Sequence, residues 1–199
     1  MANKMVGRPR KFDDADVLHR AAQAFLQDGF EAASYEHIAA AMGLSKPSLY
    51  NAFGNKTALF ERVVSEYADQ AHKFIVASFS NAKSLDQAVE DLFQGAAQFY
   101  SRPEDPSIGC LLIGTALPAT SQYANIRDTL TSFTLSLETS LEEVVSSRYE
   151  RDAKKIGKSP TEIATHISSL IFALAVRARM GLSREQLSDI AKKLAALIH

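Results

Sequence analysis

At 199 residues the chain is long enough for one large or two modest domains. Hydrophobic residues make up 46% and charged residues 23%, the balance of a soluble globular protein, and 9 glycines with 6 prolines leave few turn sites for an all-β fold. A formal charge of −1 excludes nucleic-acid binding through overall positive charge and leaves only a local basic site open.

Residues 1–9 and the two that follow carry Lys4, Arg8, Arg10 and Lys11 with no acid, the pattern of a basic N-terminal arm. From Asp13 the apolar positions Val17, Leu18, Ala21, Ala24 and Phe25 recur at helical spacing, so a first helix is predicted over 13–28, with Gly29 past its end. Ser34 caps a short second helix that Gly43 stops, and His37 takes the position where a capping box would want Glu or Gln. Ser45 opens a third helix, with Pro47 tolerated in its first turn, and Gly54-Asn55 ends it. A fourth runs without a breaker from Lys56 to about Phe79. Further helices are predicted from Ser84 to the SRPEDPS break, from Ser107 to near Pro118, from about Gln122 to Tyr149, and over 161–180 and 183–198, with RDAKKIGKSP as a polar loop. The expected fold is all-α.

Helix, glycine-containing turn and short helix form a helix-turn-helix, whose second helix enters the DNA major groove. Leu44, Leu49 and Phe53 face inward in this reading, which leaves Ser45, Lys46, Ser48, Tyr50 and Asn51 to bond phosphates or base edges. Tyr50 is expected half in the core, its ring beside Phe53 and its hydroxyl outward. The segments AAQAFLQDGF, SYEHIAAAMGL and SKPSLYNAFGNKTALF together resemble the TetR family of transcriptional regulators. That resemblance implies a basic arm over 1–9, a DNA-binding domain over 10–65, and a helical ligand-binding and dimerisation domain over 66–199. It also implies that Ser34 and Tyr35 meet phosphate, that Ser45, Lys46, Pro47, Ser48, Tyr50 and Asn51 lie on the recognition helix, and that Lys56 clamps phosphate.

The partners so implied are a double-stranded DNA operator, a second copy of the chain and a small-molecule effector, with no cofactor and no metal. The last two predicted helices would pair across a two-fold axis, where Ala173, Ala175, Ala178 and Gly181 allow close approach. Phe93, Phe99, Tyr100, Leu112, Thr115, Tyr123, Phe133, Leu137 and Phe172 are candidates for an apolar pocket lining. Arg177 is a candidate anchor for an anionic ligand, or else for an ion pair at the dimer interface. Cys110, expected near the start of the helix capped by Ser107, is either a reactive thiol that senses electrophiles or oxidants or a small buried core residue.

One cysteine precludes an intrachain disulfide, which suits a reducing cytoplasm. The polar start is not a signal sequence, and the stretch from Ile167 to Val176 falls short of the about 20 residues that span a bilayer. Cytoplasmic location without membrane contact is therefore expected. A small helical enzyme is the rival from another class, but His19, His37, His72, His166 and His199 show no metal-ligand spacing and no phosphate loop or nucleophile elbow occurs. An architectural DNA-binding protein without a ligand is the third reading.

Overall fold

Three side-chain caps build the first half of the molecule, a computed structural model that describes residues 14–101 and 109–198. Helix α1 (Asp14–Ala32) leads to Ser34, whose Oγ accepts from the His37 amide at 3.1 Å and opens α2 (Tyr35–Ala41). Ser45 Oγ accepts from the Ser48 amide at 3.2 Å at the head of α3 (Lys46–Phe53). Asn55 Oδ1 accepts from the Ala58 amide at 2.9 Å and starts α4 (Lys56–Asn81). Each cap satisfies one amide that the first helical turn leaves without a partner. Gly29 breaks the helical path of α1 where the sequence reading ends the first helix, with φ 79°, and one more turn follows to Ala32. That turn carries Phe30 into the core.

The second half contains α5 (Leu85–Tyr100), α6 (Ala124–Arg148), α7 (Glu150–Ile156), α8 (Pro160–Arg179) and α9 (Arg184–Ala195). Helix α6 packs between α4 and α8, while α9 lies on α5. The buried side chains form one continuous core that includes Phe25, Phe30 and Phe60 at one end and Phe79, Phe93 and Ile163 at the other. No described residue lies in a strand, and no helix among the described residues is long and apolar enough to cross a membrane.

Three features differ from the sequence reading. Residues 109–110 are not helical; the chain then makes a π-helical turn over Leu112–Ala116 and a 3-10 turn over Leu117–Ser121 in place of one regular helix. Gly109 has φ 63°, and a Cβ there would stand 2.9 Å from the Ala175 carbonyl oxygen, so this passage runs directly against α8. The basic arm and the proposed Ser107 cap lie outside the described residues. The polar RDAKKIG segment is helical up to its C-cap Gly157 rather than a loop: Tyr149, Ala153 and Ile156 recur at helical spacing and pack on the core, while on the outer side Glu150 pairs with Lys154 at 2.7 Å and Asp152 with Lys155 at 3.2 Å. Finally, Ala175 and Ala178 are buried within the chain's own core, so the close approach they permit is to the subunit's own helices.

The α4–α5 corner is held by α6 and α7. The Tyr149 hydroxyl donates to the carbonyls of Phe79 at 2.7 Å and Ala82 at 3.0 Å, and Asp152 accepts from the Leu85 amide at 3.3 Å. Burial raises the Tyr149 phenol above its ordinary pKa, while Lys155 first and then the Leu85 amide hold the Asp152 carboxyl below its own. Replacing Tyr149 with Phe leaves the buried Phe79 carbonyl without its donor. Chemical denaturation of Tyr149→Phe should show a loss of about 1–3 kcal/mol, and an unchanged midpoint would remove this corner from the stabilising contacts.

Candidate nucleic-acid interface and interior cavity

Eight residues are too few for a helix that stands alone, since isolated helices below about 12 residues are marginal in water. Helix α3 keeps its shape through Leu49, which is fully buried, through the Ser45 cap, and through Gly54, whose amide donates to the Tyr50 carbonyl at 2.8 Å. The Tyr35 hydroxyl of α2 donates to the Gly54 carbonyl and ties the end of α3 to the start of α2. With Leu49 inward, the neighbouring positions turn outward.

Ser34, Ser45, Lys46, Pro47, Ser48, Tyr50 and Asn51 are all exposed on this side. Tyr50 is 60% exposed, so the expectation of a ring half in the core is corrected: Leu49, about 100° round the helix, occupies the inward face. Ser45 and Ser48 share a hydrogen bond between hydroxyls at 2.8 Å. Lys46 pairs with Glu36, whose carboxyl is held below the ordinary range first by that hydrogen bond. His37 is exposed as expected, its Nδ1 2.6 Å from Asp28 Oδ2.

Lys56 and Tyr35 are half-buried and already engaged. The Lys56 ammonium donates to the carbonyls of Glu31 at 3.0 Å and Ala33 at 3.3 Å and lies 4.9 Å from the centre of the Phe30 ring. Burial lowers its pKa from the ordinary lysine value, and the Glu31 carboxylate opposes that shift. Of its three N–H groups, one is left for a phosphate. The Tyr35 hydroxyl has a single hydrogen, committed to Gly54, so a phosphate at this position meets the free amides at the start of α2 in preference to the phenol. Burial, then Tyr50, raises the Tyr35 pKa.

A cavity of about 620 Å³ lies in the second half, with walls from α4, α5, α6 and α8. It brings together Phe99, Tyr100, Cys110, Phe133, Leu137 and Phe172 of the predicted lining. The others lie elsewhere. Phe93 and Leu112 are fully buried in the core, and the Thr115 hydroxyl donates to the Leu111 carbonyl. Tyr123 packs on Phe30 with ring centres 5.5 Å apart, and Arg177 turns back along its own helix to the Ala173 carbonyl at 3.2 Å. The sequence reading missed Tyr67, Ala71 and Phe74 of α4, which recur at one-turn spacing on a single face, and Arg184 at the head of α9.

One corner of this cavity is polar. The Tyr67 hydroxyl reaches Cys110 Sγ at 3.5 Å, and the Tyr100 hydroxyl joins both. Burial first, and then the adjacent Cys110, push both phenols well above their ordinary pKa, so both are neutral hydrogen-bond donors at physiological pH. Cys110 itself is 2% exposed. Among the described residues no three His, Cys, Asp or Glu side chains come together as a metal site.

A capped three-helix unit with hydroxyls, an amide and a lysine on one exposed helix defines a helix-turn-helix DNA-binding protein. Residues 17–63 match the family described as bacterial regulatory proteins, tetR family. The chain is 31% identical to the HTH-type transcriptional repressor ComR of Escherichia coli K12 over 94% of its own length and 90% of that protein's. It is 26% identical to the HTH-type transcriptional repressor BdcR of the same organism, over 93% and 88% of the two chains. Among solved structures it is similar to the TetR family regulator CifR, a cysteine mutant bound to 26-bp operator DNA, at a TM-score of 0.81 and 29% identity over 96% of this chain and 98% of that one. The chain belongs to the tetR family of bacterial regulatory proteins, and it is a DNA-binding transcriptional regulator, not an enzyme.

The two faces of α3 should separate cleanly in stability measurements. Leu49→Ala is expected to cost about 2–5 kcal/mol, whereas Tyr50→Ala should stay within about 0.5 kcal/mol of the parent. A large loss for Tyr50→Ala in a urea titration would return its ring to the core.

Proposed function

We propose that the protein is a repressor that binds a palindromic operator as a homodimer and is released when a small molecule enters the interior cavity. In this reading residues 1–9 are a basic arm, 10–65 read DNA and 66–199 sense the ligand and dimerise, in the cytoplasm. The observation that carries it is the double membership of α4. Its first residue, Lys56, stands beside the exposed α3 face, and Tyr67, Ala71 and Phe74 further along line the cavity. A ligand that favours one position of α4 changes the placement of α3. Such a ligand acts only through its differential affinity for the two positions.

Several features support the dimer. Val176 of α8, Met180 at the C-cap of α8 and Leu197 after α9 are exposed apolar side chains, with Met180 at 73%. They offer a stripe for a two-fold partner in place of the buried Ala175 and Ala178. A palindromic operator would match that symmetry. The cavity favours this reading over an architectural DNA-binding protein, which has no use for one.

A second reading keeps the DNA switch and replaces the reversible ligand with thiol modification at Cys110. It is supported by the position of the thiol on the cavity wall beside Tyr67 and Tyr100. Cys110→Ser separates the two: a response to thiol-modifying agents that disappears in the variant while operator binding persists favours the sensor, and an unaltered response assigns Cys110 to the wall alone.

Selection of DNA fragments by the purified protein should enrich a palindrome, and lack of any enriched sequence would sink the repressor reading. On that operator, Lys56→Gln should weaken all DNA binding roughly uniformly and reduce the slope of log affinity against log salt by about one. It should also lower the melting temperature, because two carbonyls at the end of α1 lose their donor. Tyr50→Phe should weaken operator binding by about 1 kcal/mol with stability unchanged. A salt slope identical to the parent's would place Lys56 outside the interface.

A further inference from the structure

The cavity has a strongly uneven distribution of polarity. Phe74, Leu92, Phe133, Leu137, Ile171 and Phe172 form apolar walls, and the polar atoms buried with them are concentrated where Tyr67, Tyr100 and Cys110 meet. Among the described residues Arg184 is the only ionised side chain on the lining. It is exposed, and its guanidinium is turned to Ser101, with Nε 3.3 Å from the hydroxyl and Nη2 3.2 Å from the carbonyl. A carboxylate at the polar corner, away from Arg184, would therefore lose its water without gaining a cation, at a cost that disfavours it.

The polar corner, in contrast, is rich in hydrogens: two phenols and a thiol bring three to one place, and the Tyr67 hydroxyl lies 3.5 Å from sulfur, a weak acceptor. A carbonyl oxygen is a stronger acceptor than sulfur, so a ligand that brings one to the corner takes a phenolic hydrogen from the contacts among Tyr67, Tyr100 and Cys110. The volume, about 620 Å³, suits a compact molecule with one or two fused rings.

We propose that the effector is an uncharged, mainly aromatic molecule carrying one carbonyl-type acceptor, with its rings between Phe74, Phe133 and Phe172 and its oxygen on the Tyr67–Tyr100 hydroxyls. The proposal rests on the reading of the cavity as the effector site and adds the chemical class. Gly95 bears on the fit, because a Cβ there would stand 2.3 Å from Cζ of Phe74, so the absence of a side chain lets the end of that ring sit against α5.

Three probes of one shape decide the class in calorimetric titrations of the full chain: 2-acetylnaphthalene, 2-ethylnaphthalene and 2-naphthoate. The ketone should bind, the hydrocarbon roughly fivefold more weakly for want of one hydrogen bond, and the carboxylate not measurably. The double variant Tyr67→Phe/Tyr100→Phe should bring ketone and hydrocarbon to the same affinity. Ala71→Phe and, separately, Ala96→Leu fill the cavity and should abolish binding; a parent-like helical circular dichroism spectrum and a cooperative thermal melt confirm that each variant is folded. The class is overturned if the carboxylate binds as well as the ketone, if ketone and hydrocarbon bind alike in the parent, if no probe binds at millimolar concentration, or if the filled variants bind undiminished. Operator release is read separately by fluorescence anisotropy. A ketone that binds as expected and leaves operator affinity unchanged supports the ligand class and refutes the effector role of the cavity.

Discussion

The position of the Phe30 ring is the constraint on which both halves depend. Gly29 turns the chain at positive φ, and Phe30 then enters a cluster with Phe25 at 6.1 Å and Phe60 at 5.1 Å between ring centres. Tyr123 closes the far side at 5.5 Å and Lys56 sits over the ring at 4.9 Å. One side chain thus touches α1, α4 and the segment that precedes α6. Removing a buried phenylalanine of this kind typically costs about 3–5 kcal/mol, and here the loss would also uncouple the DNA-reading helices from the bundle.

Two further attachments run in parallel with the aromatic cluster. Arg179 near the end of α8 donates to the Leu26 carbonyl of α1 at 3.1 Å, and α1 packs on the π turn that begins two residues after Cys110. Irregular helical turns of this type hold less favourable hydrogen bonds than an α-helix and rearrange at lower cost. Cys110 borders the cavity, Gly109 presses on α8, and α8 holds α1. The polar corner is thus joined to α1 through the π turn and α8, and to Lys56 along α4. Coupling of two sites needs only that both bias the same pair of arrangements, and the proposed switch would use these contacts as the shared element.

The DNA-facing groups are not idle before DNA arrives. Lys46 is paired with Glu36, Lys56 with the end of α1, and the Tyr35 hydroxyl with Gly54. In the proposed function, DNA binding through these residues exchanges partners rather than capturing free charges. The exposed Lys46–Glu36 pair is worth at most about 1 kcal/mol, so it yields readily to a phosphate, whereas the buried part of Lys56 stays in place. This division lets Lys56 position the helices and still present one hydrogen outward.

Local chemistry made the front of the molecule legible in the sequence: Ser34, Ser45, Pro47 and Gly54 each act on their own turn, so caps, breaks and the outward residues of α3 follow from residue type and spacing. The aromatic and apolar members of the cavity wall were also legible, as Phe99, Tyr100, Phe133 and Phe172, because large apolar side chains must go inside. What spacing could not supply is which inward side chains meet a void and which meet one another. Phe93 and Phe99 lie on the same helix, yet one is core and the other lines the cavity, and Tyr67 and Cys110 are 43 residues apart. The helical RDAKKIG segment escaped because its apolar period is short, Tyr149, Ala153 and Ile156 among charged residues, and because Asp152 holds the Leu85 amide 67 residues away. The sequence alone determined the first four helices and the outward face of α3, because those depend on neighbours within a turn. Tertiary structure decided the cavity, its polar corner and the grip of Lys56 on α1, because each requires side chains from distant helices to be brought within a few ångströms.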